Sequence, residues 1–584
     1  MKSLLTILWS LLEDFKRLQP GVKGLDRDYV TVKARIKNEG YGFVSIALPS
    51  FLKAIDHGLE TGRLTTPPGF SRSPGLSLPK FLLGLTSHVF DAKTGLLHRD
   101  PDIHAIKCLR EFLGLFKKLT LDDDRSLRND TKAKAAFFDL EAAITDFRSN
   151  NFFDAVSSMI LSMTPFDVID FVQGRNGPGA VSEKILPNEK WKEISSGISS
   201  RDDALMVLGY DLESFLNDNH SPRSLPPCGV SRLVTVPKTS SSRRTITIEP
   251  AVLQFAQQAL NEHLRDSISR CPILSLCIDL NSQVPNQIWA LEGSISRCYS
   301  TIDLSSASDL LSLSIVNHCF RKFPNFRNAL HRSRSSYVTG NTSKLKKFAG
   351  MGNATTFPIQ SVVFAVIAIA ADLEARRVKL SYKEVLRSAR RVRVFGDDII
   401  VHSDSYHLAV SRLSDCGLRV NNLKTFHEGF FRESCGVDCY KGVHVTPLYL
   451  KHLPGSSMTP QSIENFIAVS NHSWLKGLYT FSTAPLRIVE KGVSKTLPYV
   501  RKDSGLLGWN TRRDDYSVSY WDSDLQRFQV KTLSRNPKYR KDEIDGYSAL
   551  LKFYHTPLIQ RNDKHLERSH RRFSLNHRWK RVHV

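Results

Sequence analysis

Two adjacent carboxylates, Asp397 and Asp398, stand between the apolar, β-branched runs of RVRVFGDDIIVHSD (Arg391–Asp404), with Gly396 immediately before them. The pattern predicts a hairpin with a tight turn. Two carboxylates about 5 Å apart at an effective dielectric of ~20 repel by roughly 3 kcal/mol, and apolar flanks raise that cost. A divalent cation removes it, because Mg²⁺ takes carboxylate oxygens and lets phosphate oxygens fill its remaining positions. Gly and Asp are also ordinary turn residues, so the metal reading requires another carboxylate at a second strand end. YSTIDLSSASDLLSLSIV (Tyr299–Val316) supplies one: a short strand ends at Asp303 and a helix begins near Ser305 or Ser306. The competing role for Asp303 is that of helix N-cap. Held by Asp303, Asp397 and Asp398, with Asp398 the most peripheral, two metal ions would clamp the attacking and leaving oxygens of a phosphoryl transfer.

The chain that must position these groups is large and basic. Its 584 residues suffice for two to four subdomains, its composition of 41% apolar and 24% charged residues is ordinary, and its net charge of +23 is not. Basic side chains gain free energy by releasing counterions from a phosphate backbone, so a nucleic-acid partner is expected. The nine cysteines are scattered without a CxxC pair, as in proteins whose thiols stay reduced. Cys435 and Cys439, with His427 upstream, lack a second ligand pair, and zinc is not expected there. The opening MKSLLTILWSLLEDFKRL reads as an amphipathic helix and not as a signal peptide. VVFAVIAIAA (Val362–Ala371) is apolar on all faces and well short of the roughly 20 residues that span a bilayer, so it reads as a buried helix and no membrane partner is expected.

The first 220 residues read as mostly helical, interrupted by loops at TTPPGFSRSPGLSLP (65–79) and GRNGPGAVSE (174–183), with a boundary at SPRSLPPCG (221–229). Short β-rich runs then alternate with helices, which predicts a mixed α+β fold. The tail from Arg561 to Val584 carries eight Lys/Arg against two acidic residues and is either a nucleic-acid contact or a solvated end.

Several stretches stand in a telling order: GPGAVSE (177–183), VTVPKTSSSRRTITIEP (Val234–Pro250), DLSSASD (Asp303–Asp309), GMGNATTFPIQSVVFAVIAIAA (Gly350–Ala371), FGDD (Phe395–Asp398) and FRESCGVDCYKGVHVTP (Phe431–Pro447). With them the chain resembles a right-hand, palm-containing RNA-dependent RNA polymerase, and within that class the catalytic replicase subunit of the positive-strand RNA bacteriophages, the leviviruses of Q-beta type. The resemblance runs from about Gly174 to Leu450. It implies an α+β fold with fingers, palm and thumb and an antiparallel palm sheet packed on helices. Residues 1–225 would be a helical region contributing to the fingers, 226–288 fingers with the basic motif, 289–429 the catalytic palm, and 430–584 a palm–thumb hairpin, the thumb and a basic tail. The implied activity is RNA-directed RNA synthesis on a viral single-stranded genome, with two Mg²⁺ ions, or Mn²⁺ or Ca²⁺ at the same site. The implied partners are RNA template and product, nucleoside triphosphates, host elongation factors Tu and Ts and a ribosomal protein, in the cytoplasm of an infected bacterium.

The same resemblance distributes roles. Asp303, Asp397 and Asp398 would be catalytic metal ligands, and Lys238, Arg243 and Arg244 would neutralise the incoming triphosphate. Gly350, Gly352 and Gly396 would let backbone approach template or ribose closely, Gly396 from the turn before the aspartates. Asn353, Thr355 and Thr356 would read the 2′-hydroxyl, completed by Ser308 or Asp309. The wider family keeps an acid five positions after the first aspartate, whereas here Ser308 holds that position and the acid follows it, so both stay candidates. Lys424 stands where the wider family keeps a lysine that could protonate the leaving pyrophosphate. SCGVDCYKGVHVTPLYLK (Ser434–Lys451) alternates like another hairpin. A reverse transcriptase of the same architecture is the nearest rival, though FGDD, with Gly396 before the aspartates, stands where such enzymes usually carry YxDD. A non-catalytic RNA-binding protein is the rival from another class.

Overall fold

A computed structural model describes residues 2–120, 125–167, 174–177, 179–196, 229–455, 458–512, 515–539, 543–555 and 573–583. The boundary expected at 221–229 lies, apart from Gly229, outside the described residues, as do Pro178 and the tail before Phe573. The fold is mixed helix and sheet, with fourteen strands among the described residues. They are β1 (Val230–Thr239), β2 (Ser242–Ile248), β3 (Tyr299–Ile302), β4 (Leu304–Ser305), β5 (Tyr337–Val338), β6 (Val392–Phe395), β7 (Asp398–His402), β8 (Arg419–Val420), β9 (Phe431–Ser434), β10 (Val437–Tyr440), β11 (Val443–His444), β12 (Tyr520–Asp522), β13 (Arg527–Tyr539) and β14 (Phe573–His583). They form small sheets of order β2-β1-β5, β3-β7-β6, β4-β8, β11-β10-β9 and β12-β13-β14. All these pairings are antiparallel except that of β1 with β5.

Packing divides the chain differently from any cut along the sequence. One core surrounds the helix Thr356–Ala375, which is apolar on every face and buried along its length, and includes Phe153, Ile160, Leu264, Ile302 and Val394. The other joins the first 120 residues to Phe426, Phe431, Tyr440 and the helices Pro460–Leu475 and Tyr479–Val493. The opening helix Lys2–Leu18 lies in this second core, burying Leu4, Ile7, Leu8, Leu11, Leu12 and Phe15, the stripe its period predicts. Arg110, on the helix Ile103–Gly114, ties the N-terminal helices to β10 and the loop after β11: it is 1% exposed, forms ion pairs with Asp56 and Asp438, and donates to the Val445 carbonyl at 2.9 Å.

In the N-terminal helices, Asp28 is buried with one oxygen accepting from the Leu82 amide at 3.0 Å and the other without a partner. Burial pushes its carboxyl up to about 6, so the folded chain holds this proton more tightly than the unfolded chain does. Its ionisation therefore costs stability, a cost that grows as pH rises from the ordinary carboxylate range to about 6 and is constant above that. Asp28→Asn is expected to stabilise the protein by about 2 kcal/mol at pH 8 and by less than about 1 kcal/mol at pH 4. Thermal melts at both values check this; equal shifts would contradict it.

Candidate functional site

The acidic groups sit at neighbouring strand ends of the sheet β3-β7-β6. Register pairs Ile302 with Ile399 and Phe395 with Asp398, so Asp303 leaves β3 beside the point where the β6–β7 turn delivers Asp397. Gly396 takes φ +65° in that turn, and a Cβ there would lie 2.4 Å from the Phe357 ring. Its amide donates to the Ser361 hydroxyl at 3.0 Å, so the buried helix Thr356–Ala375 holds the turn from below. Asp303 does not take its competing role of helix N-cap: the short helix Ala307–Leu310 begins four residues on, after Ser306. Instead its amide donates to Thr425 Oγ1 at 3.2 Å and its Oδ2 accepts from Asn421 Nδ2 at 2.7 Å, with Asn421 delivered by the β4–β8 pair.

Asp303 and Asp397 line one cavity of about 720 Å³, together with Lys238, Arg243, Arg244, Ser308, Asp309, Gly352, Asn353, Thr356 and Lys424. Asp398 is not among its lining residues: a hydrogen bond from Cys435 engages its carboxylate. Burial, and then the charge of Asp397, push Asp398 up to about 6, while the Cys435 amide opposes that rise. Burial also raises Asp303 above the usual carboxylate range, with Lys424 and Asn421 opposing and Asp397 adding to it. Lys424 Nζ lies 3.8 Å from Asp303 and 3.6 Å from Glu433. Burial works to lower its ammonium pKa, but Glu433, Asp303 and Asp398 outweigh that and raise it.

The expectation of three convergent ligands is met only in part. Among the described residues no three His, Cys, Asp or Glu side chains gather as a ready-made metal cage. Asp398 finds its hydrogen bonds at Cys435 while Asp303 finds its own at Asn421. The donor set nevertheless fits Mg²⁺, which is bound by one or two carboxylates with phosphate and water completing the shell. Asp303 and Asp397 would be that pair.

The basic wall is the β1–β2 hairpin, where Pro237 pairs with Arg243 and Val236 with Arg244. Burial, with Arg244 and Lys424 adding to it, lowers Lys238 from the ordinary lysine value. Arg243 is engaged elsewhere, in an ion pair with Asp130 of the helix Arg125–Ala142 and a 3.2 Å hydrogen bond to Thr235. Lys238 and Arg244 are thus the exposed cations of this wall.

The polar wall is more finely divided than the sequence suggested. Asn353 Oδ1 accepts from the Thr355 amide and hydroxyl at 2.9 and 2.7 Å, which leaves the buried Asn353 Nδ2 without a partner in a residue that lines the cavity. Thr355 is fully buried and outside the lining, and its amide and hydroxyl are spent on Asn353. Thr356 donates to the Gly350 carbonyl at 3.2 Å. The glycines serve the protein's own backbone: a Cβ on Gly352, at φ +130°, would lie 2.0 Å from the Thr247 carbonyl oxygen, and one on Gly350 would strike the Thr247 side chain. Sequence reasoning missed Asn421 and Gln360, whose Oε1 is buried without a partner at the cavity, because lone amides carry no spacing signal.

Asp309 is held by Lys347, which is fully buried, 3.0 Å from Asp309 Oδ1, 3.6 Å from Glu141, and 3.5 Å from the centre of the Phe137 ring. Lys347→Met would leave two buried carboxylates without their cation. We expect it to cost about 2–3 kcal/mol of stability in urea unfolding and to loosen any sugar discrimination that Asp309 provides; an unchanged midpoint would contradict the clamp.

By class this is a mixed helix-and-sheet chain whose cavity sets strand-end carboxylates against a basic hairpin, an arrangement whose charges suit phosphate-bearing ligands. Comparison supplies a likeness: residues 217–459 match the model of the RNA replicase beta-chain family. The chain is 36% identical over 228 residues to the RNA-directed RNA polymerase subunit beta of Qbeta virus (strain MX1), covering 38% of this chain and 36% of that protein. It is 35% identical over 219 residues to the RNA-directed RNA polymerase beta chain of Escherichia phage MS2, covering 37% of each. The matched segment thus spans little more than a third of these relatives. A solved RNA-dependent RNA polymerase of a human picorbirnavirus is similar over 63% of this chain and 77% of its own length, at 11% identity and a TM-score of 0.38.

Proposed function

We propose that the chain is an RNA-directed RNA polymerase that copies a single-stranded viral RNA by nucleotidyl transfer. The observation that carries this is the meeting of Asp303 and Asp397 with Lys238, Arg244 and Asn353 around one cavity. In this reading the sheet β3-β7-β6 is the palm, β1–β2 belongs to the fingers, and the β9–β10–β11 hairpins lead to a thumb built on the helices Pro460–Leu475 and Tyr479–Val493. Asp303 and Asp397, with Asp398 behind them, hold the metal. When bound, Mg²⁺ supplies charge neutralisation for the phosphates and lowers the pKa of the attacking hydroxyl. Lys238 and Arg244 neutralise the triphosphate, and Lys424, kept protonated by its carboxylate neighbours, donates a proton to the leaving pyrophosphate. Asn353 Nδ2 donates to the ribose 2′-hydroxyl, with Ser308 or Asp309 as the second contact.

The substrates are ribonucleoside triphosphates and an RNA template. The kinship with phage proteins, three of them named as subunits, supports work in an infected bacterial cytoplasm beside host elongation factors Tu and Ts and a ribosomal protein. Purified full-length chain, given RNA and Mg²⁺ with and without bacterial extract, is expected to incorporate ribonucleotides at least about 100-fold better than deoxyribonucleotides. Equal use of both sugars would favour a reverse transcriptase, and no incorporation under either condition would overturn the reading.

A further inference from the structure

The sheet β12-β13-β14 lies outside the matched segment and outside the cavity. One end of it is anchored. Thr532 donates to the Leu507 carbonyl at 2.6 Å, and Glu464 of the helix Pro460–Leu475 accepts from Arg535 at 2.9 Å and lies 3.1 Å from His577. The other end projects. There the register sets Tyr520 beside Gln529 and His583, Asp522 beside Arg527, and Lys531 beside Arg581, all on one face by the two-residue period. Tyr520 is 37% exposed, and the Arg581 guanidinium lies over its ring, 3.7 Å from the centre.

Two features of this face are costly unless an anion covers it. Lys531 and Arg581 stand directly opposite each other on neighbouring strands, a like-charge pair that destabilises a sheet. Among the described residues neither they nor Arg527 has a carboxylate within ion-pair distance. The nearby acid, Asp522, instead accepts from Gln529 Nε2 at 2.6 Å and from the amides of Asp524 and Leu525. Unneutralised cations around an aromatic ring stacked with arginine match a phosphate backbone with its bases. On the other face of the same end, Trp521 and Phe528 meet edge to face with centroids 4.7 Å apart, and both are about half exposed.

We infer that this sheet end is a second RNA-binding surface, which takes single-stranded RNA on Tyr520, Arg527, Lys531 and Arg581, apart from the cavity. It holds template or product strand while the cavity works on another part of it. A flexible strand satisfies both the charge and the ring, because each phosphate can meet a cation while one base stacks on Tyr520.

The test uses the full chain and a fluorescently labelled, unstructured RNA of about 20 nucleotides, titrated by anisotropy at several salt concentrations. Arg527→Glu/Lys531→Glu is expected to weaken binding at least about tenfold at low salt and to reduce the slope of log affinity against log salt by about 1.4, two phosphate contacts' worth. Tyr520→Ala, which leaves the charges in place, is expected to weaken it at least about fivefold with the slope unchanged. Ultraviolet crosslinks should map to peptides holding Tyr520 and Arg581. Unaltered affinity in both variants, or crosslinks confined to the cavity, would overturn the inference; so would unaltered affinity with loss of a captured host protein, which would assign the face to protein docking. Incorporation by the unmodified chain is measured alongside, so a failure of the polymerase reading is distinguishable from a failure of this surface.

Discussion

Asp397→Asn is expected to lower nucleotide incorporation by roughly 1000-fold or more, about 4 kcal/mol of transition-state stabilisation, while RNA affinity stays within about twofold. Asp397 is exposed at the tip of a turn whose backbone is held by Ser361 from the helix below, so the substitution changes charge and leaves the scaffold alone. RNA affinity depends on the basic surface, which the variant does not touch. The substitution should also leave the melting temperature unchanged or raise it, since the Asp397 charge pushes both Asp303 and Asp398 toward protonation and its removal relieves that repulsion. Lost activity with a raised or constant melting temperature is the signature of a charge kept for chemistry. A fall in stability that tracks the fall in activity would count against the metal role.

Arg110→Met is expected to destabilise the chain by about 3–5 kcal/mol in urea unfolding, because it leaves Asp56 and Asp438 buried without their cation. The guanidinium also sits over the Phe431 ring, 4.7 Å from its centre, and bonds the Val445 carbonyl, so one side chain joins the N-terminal helices to the strands that follow the carboxylate turn. Burial has already pushed Asp56 up to about 6 despite the neighbouring arginine, which marks how poorly this site solvates a lone charge. Arg110→Met combined with Asp56→Asn and Asp438→Asn is expected to recover much of the loss, because the cost lies in the orphaned carboxylates. A change below about 1 kcal/mol for the single variant would show that the N-terminal helices and these strands do not depend on this contact.

The parts of the fold and site legible from the residues alone were those with a period or a local pattern. The β6–β7 turn, the strand ending at Asp303, the buried helix over Val362–Ala371 and the amphipathic opening helix each follow from spacing within a few residues. What escaped depends on partners far away in the chain. Nothing around Arg243 signals that Asp130 occupies it, and nothing in the Asp397–Asp398 pair signals that Cys435 draws the second carboxylate back. Thr355 resembles its neighbours in type, yet its hydroxyl is spent on Asn353. Asn421 reaches Asp303 only because β4 pairs with β8, two-residue strands too short to announce themselves.

The central claim is that Asp303 and Asp397 together hold divalent metal against the phosphates of a nucleotide. Anomalous diffraction from crystals of the full chain soaked with Mn²⁺ and a ribonucleoside triphosphate tests it most directly. The account predicts manganese peaks about 2.2 Å from carboxylate oxygens of both aspartates, with the triphosphate reaching toward Lys238 and Arg244. Peaks elsewhere, with both aspartates unligated, would contradict it.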